Sequence, residues 1–184
     1  MKVAENRSPY IVIGSGRSGT SNVARILHEK MGIHMGDVFP PSDTVNPGGY
    51  YEDMEFWKLN KSFIRGLTNY PNWFVGVSNL ITARAKKGIP WGFKENRTSY
   101  LLGLLPVFCD GMKIIRCNRD PELVMKSCME KWGHSEHEAE SYYYGRNWAI
   151  DRLMRHFDHL LIDYGKDRLE DDEIIERIRG KWNS

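Results

Sequence analysis

The stretch IVIGSGRSGTSN, Ile11 to Asn22, constrains the fold more than any other part of the chain. A short, β-branched, continuous apolar run (YIVIG, 10–14) reads as a buried parallel strand. It passes through a glycine turn into Val23, Ile26, Leu27 and Met31, which recur at helical spacing until Gly32 ends the pattern. Strand, glycine loop and helix open an α/β unit. Gly14, Gly16 and Gly19 let the backbone bring its N–H groups close to an anion, and the helix start adds partial positive charge. Ser18, Thr20 and Ser21 supply hydroxyls, and Arg17 a planar fork suited to phosphate or sulfonate.

The rest of the chain extends that unit. PWGFK (90–94), KIIRCN (113–118) and HLLID (159–163) are further strand candidates, and WFVGVS (73–78) reads as a strand or an irregular segment. Helices are expected from Asp53 to about Gly66, from Thr98 to about Phe108, after Asp120 and Pro121, over about 136–158 behind a Ser135/Glu138 capping box, and from Asp172 onward. Residues 36–50, rich in Pro, Gly, Asp and Asn, form a long loop of the kind that carries function. Alternating strands and helices imply a three-layer α/β sandwich with a mainly parallel central sheet, like that of P-loop NTPases, with ligands at the carboxyl ends of the strands. At 184 residues the chain is expected to form a single domain, 1–184.

Bulk composition excludes several roles. Apolar residues at 41% and charged residues at 27% argue for a globular chain, and a net charge of +2 gives no global reason to bind nucleic acid or a membrane surface. Cys109, Cys117 and Cys128 show neither a C-x-x-C pair nor zinc spacing, so they read as reduced core cysteines in a cytoplasmic protein. MKVAENRSPY is too polar for a signal peptide, and no apolar run is long enough to span a membrane.

The loop matches the G-x-x-x-x-G-K-[ST] pattern except at the lysine, where Thr20 stands. Without that lysine it is poorly equipped for triphosphate chemistry. GSGRSGTS resembles the 5′-phosphosulfate loop of sulfotransferases that use 3′-phosphoadenosine 5′-phosphosulfate (PAPS). IIRCNRDPELVMKS resembles that family's second signature, a strand ending in Arg before a Pro-initiated helix with a Ser eight residues after the Arg; here these are Arg119 and Ser127. WGFKENR and NPGGYYED are similar to two further segments of bacterial members, with Asn96 in place of a proline. The resemblance runs over roughly residues 10–130.

It implies that Gly16, Arg17, Ser18, Gly19, Thr20 and Ser21 hold the phosphosulfate and that Arg119 and Ser127 hold the 3′-phosphate. PAPS would be the co-substrate, no metal would be needed, and the acceptor would be a small molecule or glycan bearing a hydroxyl or amine. Glu52 is the favoured general base and Asp37 its rival, with Asp53 more simply a helix N-cap. Lys94 would reach the sulfonate or the leaving oxygen. The acceptor would lie near the 36–50 loop and the Trp57, Trp73 and Trp91 regions. A later glycine- and basic-rich loop that many members close over the 3′-phosphate is represented at most by RIRGKWNS. HSEHEAE (134–140) reads as a solvated helix start, and Tyr142–Tyr144 as packing. The competing functions are a small P-loop kinase and a non-catalytic anion-binding relative.

Overall fold

The computed structural model describes residues 8–109, 111–167 and 169–182. Strand β1 (Tyr10–Gly14) is central, and its register shows why this segment is apolar throughout. It pairs in parallel with β2 (Gly92–Lys94) on one side and with β3 (Lys113–Asn118) on the other, and β3 pairs in parallel with β4 (His159–Asp163). The order is therefore β2-β1-β3-β4, all parallel. Both faces of β1 are covered. Tyr10 and Val12 point to one core with Val23, Leu27, Ile115, Ile162 and Ile174. Ile11 and Ile13 point to the other, with Phe56, Trp73, Phe93, Leu102 and Ile150.

Helix α1 (Thr20–Arg25) leaves the glycine loop and continues as one π-helical turn, Ile26–Lys30. It shares its face of the sheet with α7 (Asp171–Trp182). On the opposite face lie α2 (Met54–Ile64), α3 (Tyr70–Lys86), α4 (Thr98–Leu101) and α6 (Glu136–Met154), while α5 (Pro121–Trp132) packs on α6 through Val124, Cys128, Ala139 and Tyr143. The expected three-layer sandwich is present.

Several boundaries differ from expectation, each for a physical reason. Residues 73–78 are not a strand but lie inside α3, capped by Asn69 and opened by Pro71. Trp73, Val77 and Ile81 fall on one buried stripe, and Gly76 sits where Leu59 of α2 leaves no room for a β-carbon. The helix from Thr98 tightens to 3-10 geometry over Leu102–Val107, where Pro106 has no N–H for an α-helical bond. Helix α6 stops at Met154, four residues early, and turns into β4. RIRGKW is the end of α7 rather than a loop, and Trp182 packs edge-on against Tyr10 at the start of β1, the opposite end of the sheet from the glycine loop. The last two residues of RIRGKWNS, and the first seven of the polar N-terminus, lie outside the described residues.

Three sequence readings hold locally. Asp53 caps α2, accepting from the amides of Glu55 and Phe56; Ser135 and Glu138 form the capping box; and Cys109, Cys117 and Cys128 are buried and in no disulfide among the described residues. Among the described residues no helix is long and apolar enough to cross a membrane.

Candidate functional site

Parallel pairing brings the carboxyl ends of all four strands to one rim, and the chemistry-bearing residues collect there. The glycine loop leaves β1 through a tight turn in which the buried Ser18 hydroxyl donates to the Ser15 carbonyl at 2.6 Å. Ser18 therefore shapes the loop with its side chain. Gly14 has no space for a β-carbon between Ser18, Thr20 and the Cys117 carbonyl, so the loop folds back directly onto β3. Gly19, at φ 89°, occupies the N-cap of α1 with no side-chain cap. The first-turn amides at Thr20 and Ser21 are thus open to an anion.

Arg17 is held in the left-handed region, φ 69°, which costs an L residue about 1 kcal/mol. That backbone turn aims its side chain across the rim. Its Nε donates to Ser127 Oγ on α5 at 2.9 Å, and its Nη2 to the Val45 carbonyl of the 36–50 loop at 3.4 Å. Arg119, one residue past β3, donates from Nη1 to the Arg17 carbonyl at 3.4 Å. Two segments about a hundred residues apart in sequence thus close on one loop.

Beside this junction a cleft of about 180 Å³ is lined by Gly19, Asn22, Arg119, Tyr164 and Asp167. The Tyr164 ring lies flush against Gly19, where any β-carbon would strike it. Asn22 Nδ2 donates to the Tyr164 hydroxyl at 3.3 Å. Larger hollows occur at Phe74–Phe108 (about 390 Å³) and over the 36–51 segment (about 480 Å³), but neither is lined by Arg17 or Arg119.

Lys94 ends β2, in register with Val12 and two positions before the glycine turn. It is buried, and its Nζ lies 3.7 Å from Glu52 Oε1 and 3.4 Å from the Tyr50 carbonyl. Burial pushes the Lys94 pKa below the ordinary lysine range, and the Glu52 carboxylate is the main influence opposing that shift. Glu52 also accepts the Asn96 amide at 3.2 Å. Glu52 and Lys94 therefore form one unit at the rim. Asp37 is half-exposed and pairs with Lys87 at 2.9 Å and His34 at 3.0 Å, at the far end of α3. Trp73 and Trp91 are fully buried in the core and line no acceptor pocket; Trp57 is half-buried under Lys61 and Arg97.

Residues beyond those expected from sequence complete the rim. The Gly16 amide donates to the Tyr142 hydroxyl at 2.8 Å, and the Tyr143 hydroxyl donates to the Arg119 carbonyl at 3.5 Å. The tyrosine run on α6 thus braces both basic segments as well as packing. Tyr164 and Asn22 were invisible beforehand, since nothing in HLLIDYG or TSNV marks them as facing a cleft. The only available signal for Tyr164 was its place just past a strand on the ligand-bearing rim.

No family model and no curated protein matches the sequence. Similarity appears at the level of structure. A sugar kinase from a Janibacter species superposes with a TM-score of 0.60 over 94% of this chain and 92% of its own, at 16% identity. Shikimate kinase from Bacteroides thetaiotaomicron gives 0.54 over 96% and 99%, at 8% identity. A sulfotransferase from Mycobacterium tuberculosis gives 0.52 over 95% of this chain and 65% of its own, at 16% identity. At such identities the likeness shows the fold alone: a parallel α/β sheet covered by helices on both faces, shared with these kinases and this sulfotransferase.

Proposed function

We propose that this protein is a transferase that moves a sulfuryl group from PAPS to a hydroxyl or amine acceptor. The observation that carries this reading is the closure of Arg17, Ser127 and Arg119 on a glycine loop that has threonine in place of the phosphate-binding lysine. The rim fits a carrier with two anionic ends. Loop amides and the Arg17 guanidinium suit the phosphosulfate, and Arg119 with Ser127 suits the 3′-phosphate. The cleft lined by Gly19, Asn22, Arg119, Tyr164 and Asp167 offers an aromatic wall for the nucleoside.

In this reading the chain aligns donor and acceptor oxygens and stabilises developing charge. PAPS supplies the activated sulfuryl group. Glu52 takes the acceptor proton, and Lys94, held beside it, stabilises charge on the transferring or leaving oxygens. Because Lys94 is buried, its charge acts in a low-dielectric setting, where it is worth more than at the surface.

A small-molecule phosphotransferase is the second reading. The sugar-kinase neighbour, matched over nearly its whole length, favours it. A melting assay separates the two. Stabilisation by adenosine 3′,5′-bisphosphate in the presence of a chelator supports the sulfotransferase. Stabilisation by Mg-ATP alone supports the kinase.

A further inference from the structure

The hydroxyl of Tyr142 reaches the glycine loop from α6, accepting the Gly16 amide across 126 positions of sequence. It is tightly placed. A β-carbon on Gly16 would come within 2.5 Å of the Trp132 ring and 2.7 Å of the Tyr142 oxygen. Trp132, at the end of α5, meets the Tyr142 ring edge-on with centroids 5.4 Å apart, and His134 closes the group at 5.5 Å from Trp132 and 6.1 Å from Tyr142. One hydrogen bond and two neighbouring rings therefore fix the phenol oxygen at the loop.

A hydroxyl offers one proton and two lone pairs. The Gly16 amide engages one lone pair, and among the described residues the phenol proton has no acceptor. Burial, the largest influence on Tyr142, raises its pKa, so the group stays protonated at neutral pH and serves as a donor. Accepting the amide bond polarises the O–H and strengthens it in that role.

Its position is equally specific. The cleft of about 180 Å³ lies on the Gly19–Tyr164 side of the loop, toward β4. Gly16 lies on the other side, toward α6. There Arg146 of α6 bonds the Asn96 carbonyl, and the Asn96 amide bonds Glu52. On this side of the loop Tyr142 is thus linked to the Glu52–Lys94 pair through Arg146, one turn further along α6, and Asn96.

Resting on the sulfotransferase reading above, we propose that Tyr142 is a further catalytic residue: its hydroxyl donates a hydrogen bond to a non-bridging oxygen of the sulfonate presented at the loop. Tyr142 keeps its proton throughout, and no bond to it is made or broken. Its contribution grows as charge develops on the sulfonate oxygens, in the manner of an oxyanion-hole donor.

The test is differential binding by calorimetry with the full chain. Adenosine 3′,5′-bisphosphate lacks the sulfonate and PAPS carries it, so their affinities in Tyr142→Phe report the one contact in question. The expected result is unchanged bisphosphate affinity, PAPS binding weakened about five- to tenfold, and a lowered unfolding midpoint, since the Gly16 amide loses its acceptor. Equal losses on both ligands, or no loss on PAPS, would overturn the proposal. If Tyr142→Phe does not fold, Trp132→Leu, at a half-exposed position, loosens the phenol without removing it and carries the same test: a selective loss on PAPS supports the proposal, and its absence overturns it. Should the unaltered chain bind neither ligand, the PAPS reading fails, and the role of Tyr142 fails with it. Binding of the bisphosphate without the selective loss defeats the tyrosine alone.

Discussion

Arg17 and Ser127, 110 positions apart, meet through a hydrogen bond of 2.9 Å from guanidinium Nε to hydroxyl Oγ. The bond ties the loop after β1 to the helix after β3, and Arg17 makes it from a left-handed backbone conformation that few non-glycine residues take. A residue kept in strain at a ligand-bearing rim points to selection for function over stability.

That contrast is measurable in Arg17→Gly. Glycine relieves the left-handed strain and forfeits the bonds to Ser127 and Val45. Urea unfolding is expected to show stability unchanged or raised by up to ~1 kcal/mol, while affinity for adenosine 3′,5′-bisphosphate drops at least tenfold. A clear loss of stability with intact binding would make Arg17 a structural residue.

Arg119 and Ser127 should contribute unequally. Removing a guanidinium from an anion site costs about 1.5–3 kcal/mol, roughly 10- to 100-fold in affinity, whereas removing a neutral hydroxyl costs about tenfold or less. Titrations of Arg119→Ala and Ser127→Ala with the bisphosphate are therefore expected to rank in that order. Ser127→Ala also frees Arg17 Nε, so the Arg17→Ala/Ser127→Ala double variant should lose less than the sum of its two single changes.

How much of this was legible beforehand depended on the range of each signal. YIVIG, KIIRCN and the capped helices were readable because their information is local. WFVGVS misled because six residues containing a tryptophan, a phenylalanine, two valines and a glycine resemble a strand. The helical stripe of Trp73, Val77, Ile81 and Arg84 emerges only over a longer window, and Asn69 and Pro71 were the overlooked start signals. At the rim, the glycine loop, Arg119, Glu52 and Lys94 were each singled out from sequence, the last two not as a pair. Tyr142, Tyr164 and the burial of Trp73 and Trp91 were not, because each depends on which helix face meets which strand end.

The pH dependence of anion binding tests the pair at β2. Burial disfavours the charged form of Lys94, and Glu52 supports it. If Lys94 contributes positive charge to the anion, affinity holds at low pH and declines as pH rises through the lysine's folded pKa. Glu52→Gln removes the main support for the charge, so that decline is expected to move to lower pH. A decline at the same pH in Glu52→Gln and the unaltered chain would separate Lys94 from the site.

A control lies at Arg84, which is buried with Asp53 at 2.8 Å and reaches Glu55 at 2.7 Å. Breaking a buried pair leaves an uncompensated charge and typically costs about 3–5 kcal/mol. Arg84→Met is expected to lower stability by about 3 kcal/mol in urea unfolding, with bisphosphate affinity of the folded fraction unaltered. Loss of binding without loss of stability would assign Arg84 to the site.

The central claim, that two basic segments converge on one doubly phosphorylated nucleoside, is tested most directly by calorimetric titration of the unaltered chain with adenosine 3′,5′-bisphosphate in the presence of a chelator. The account predicts saturable one-to-one binding that Arg17→Ala and Arg119→Ala each weaken at least tenfold. No heat of binding at millimolar ligand, or binding indifferent to both substitutions, would contradict it.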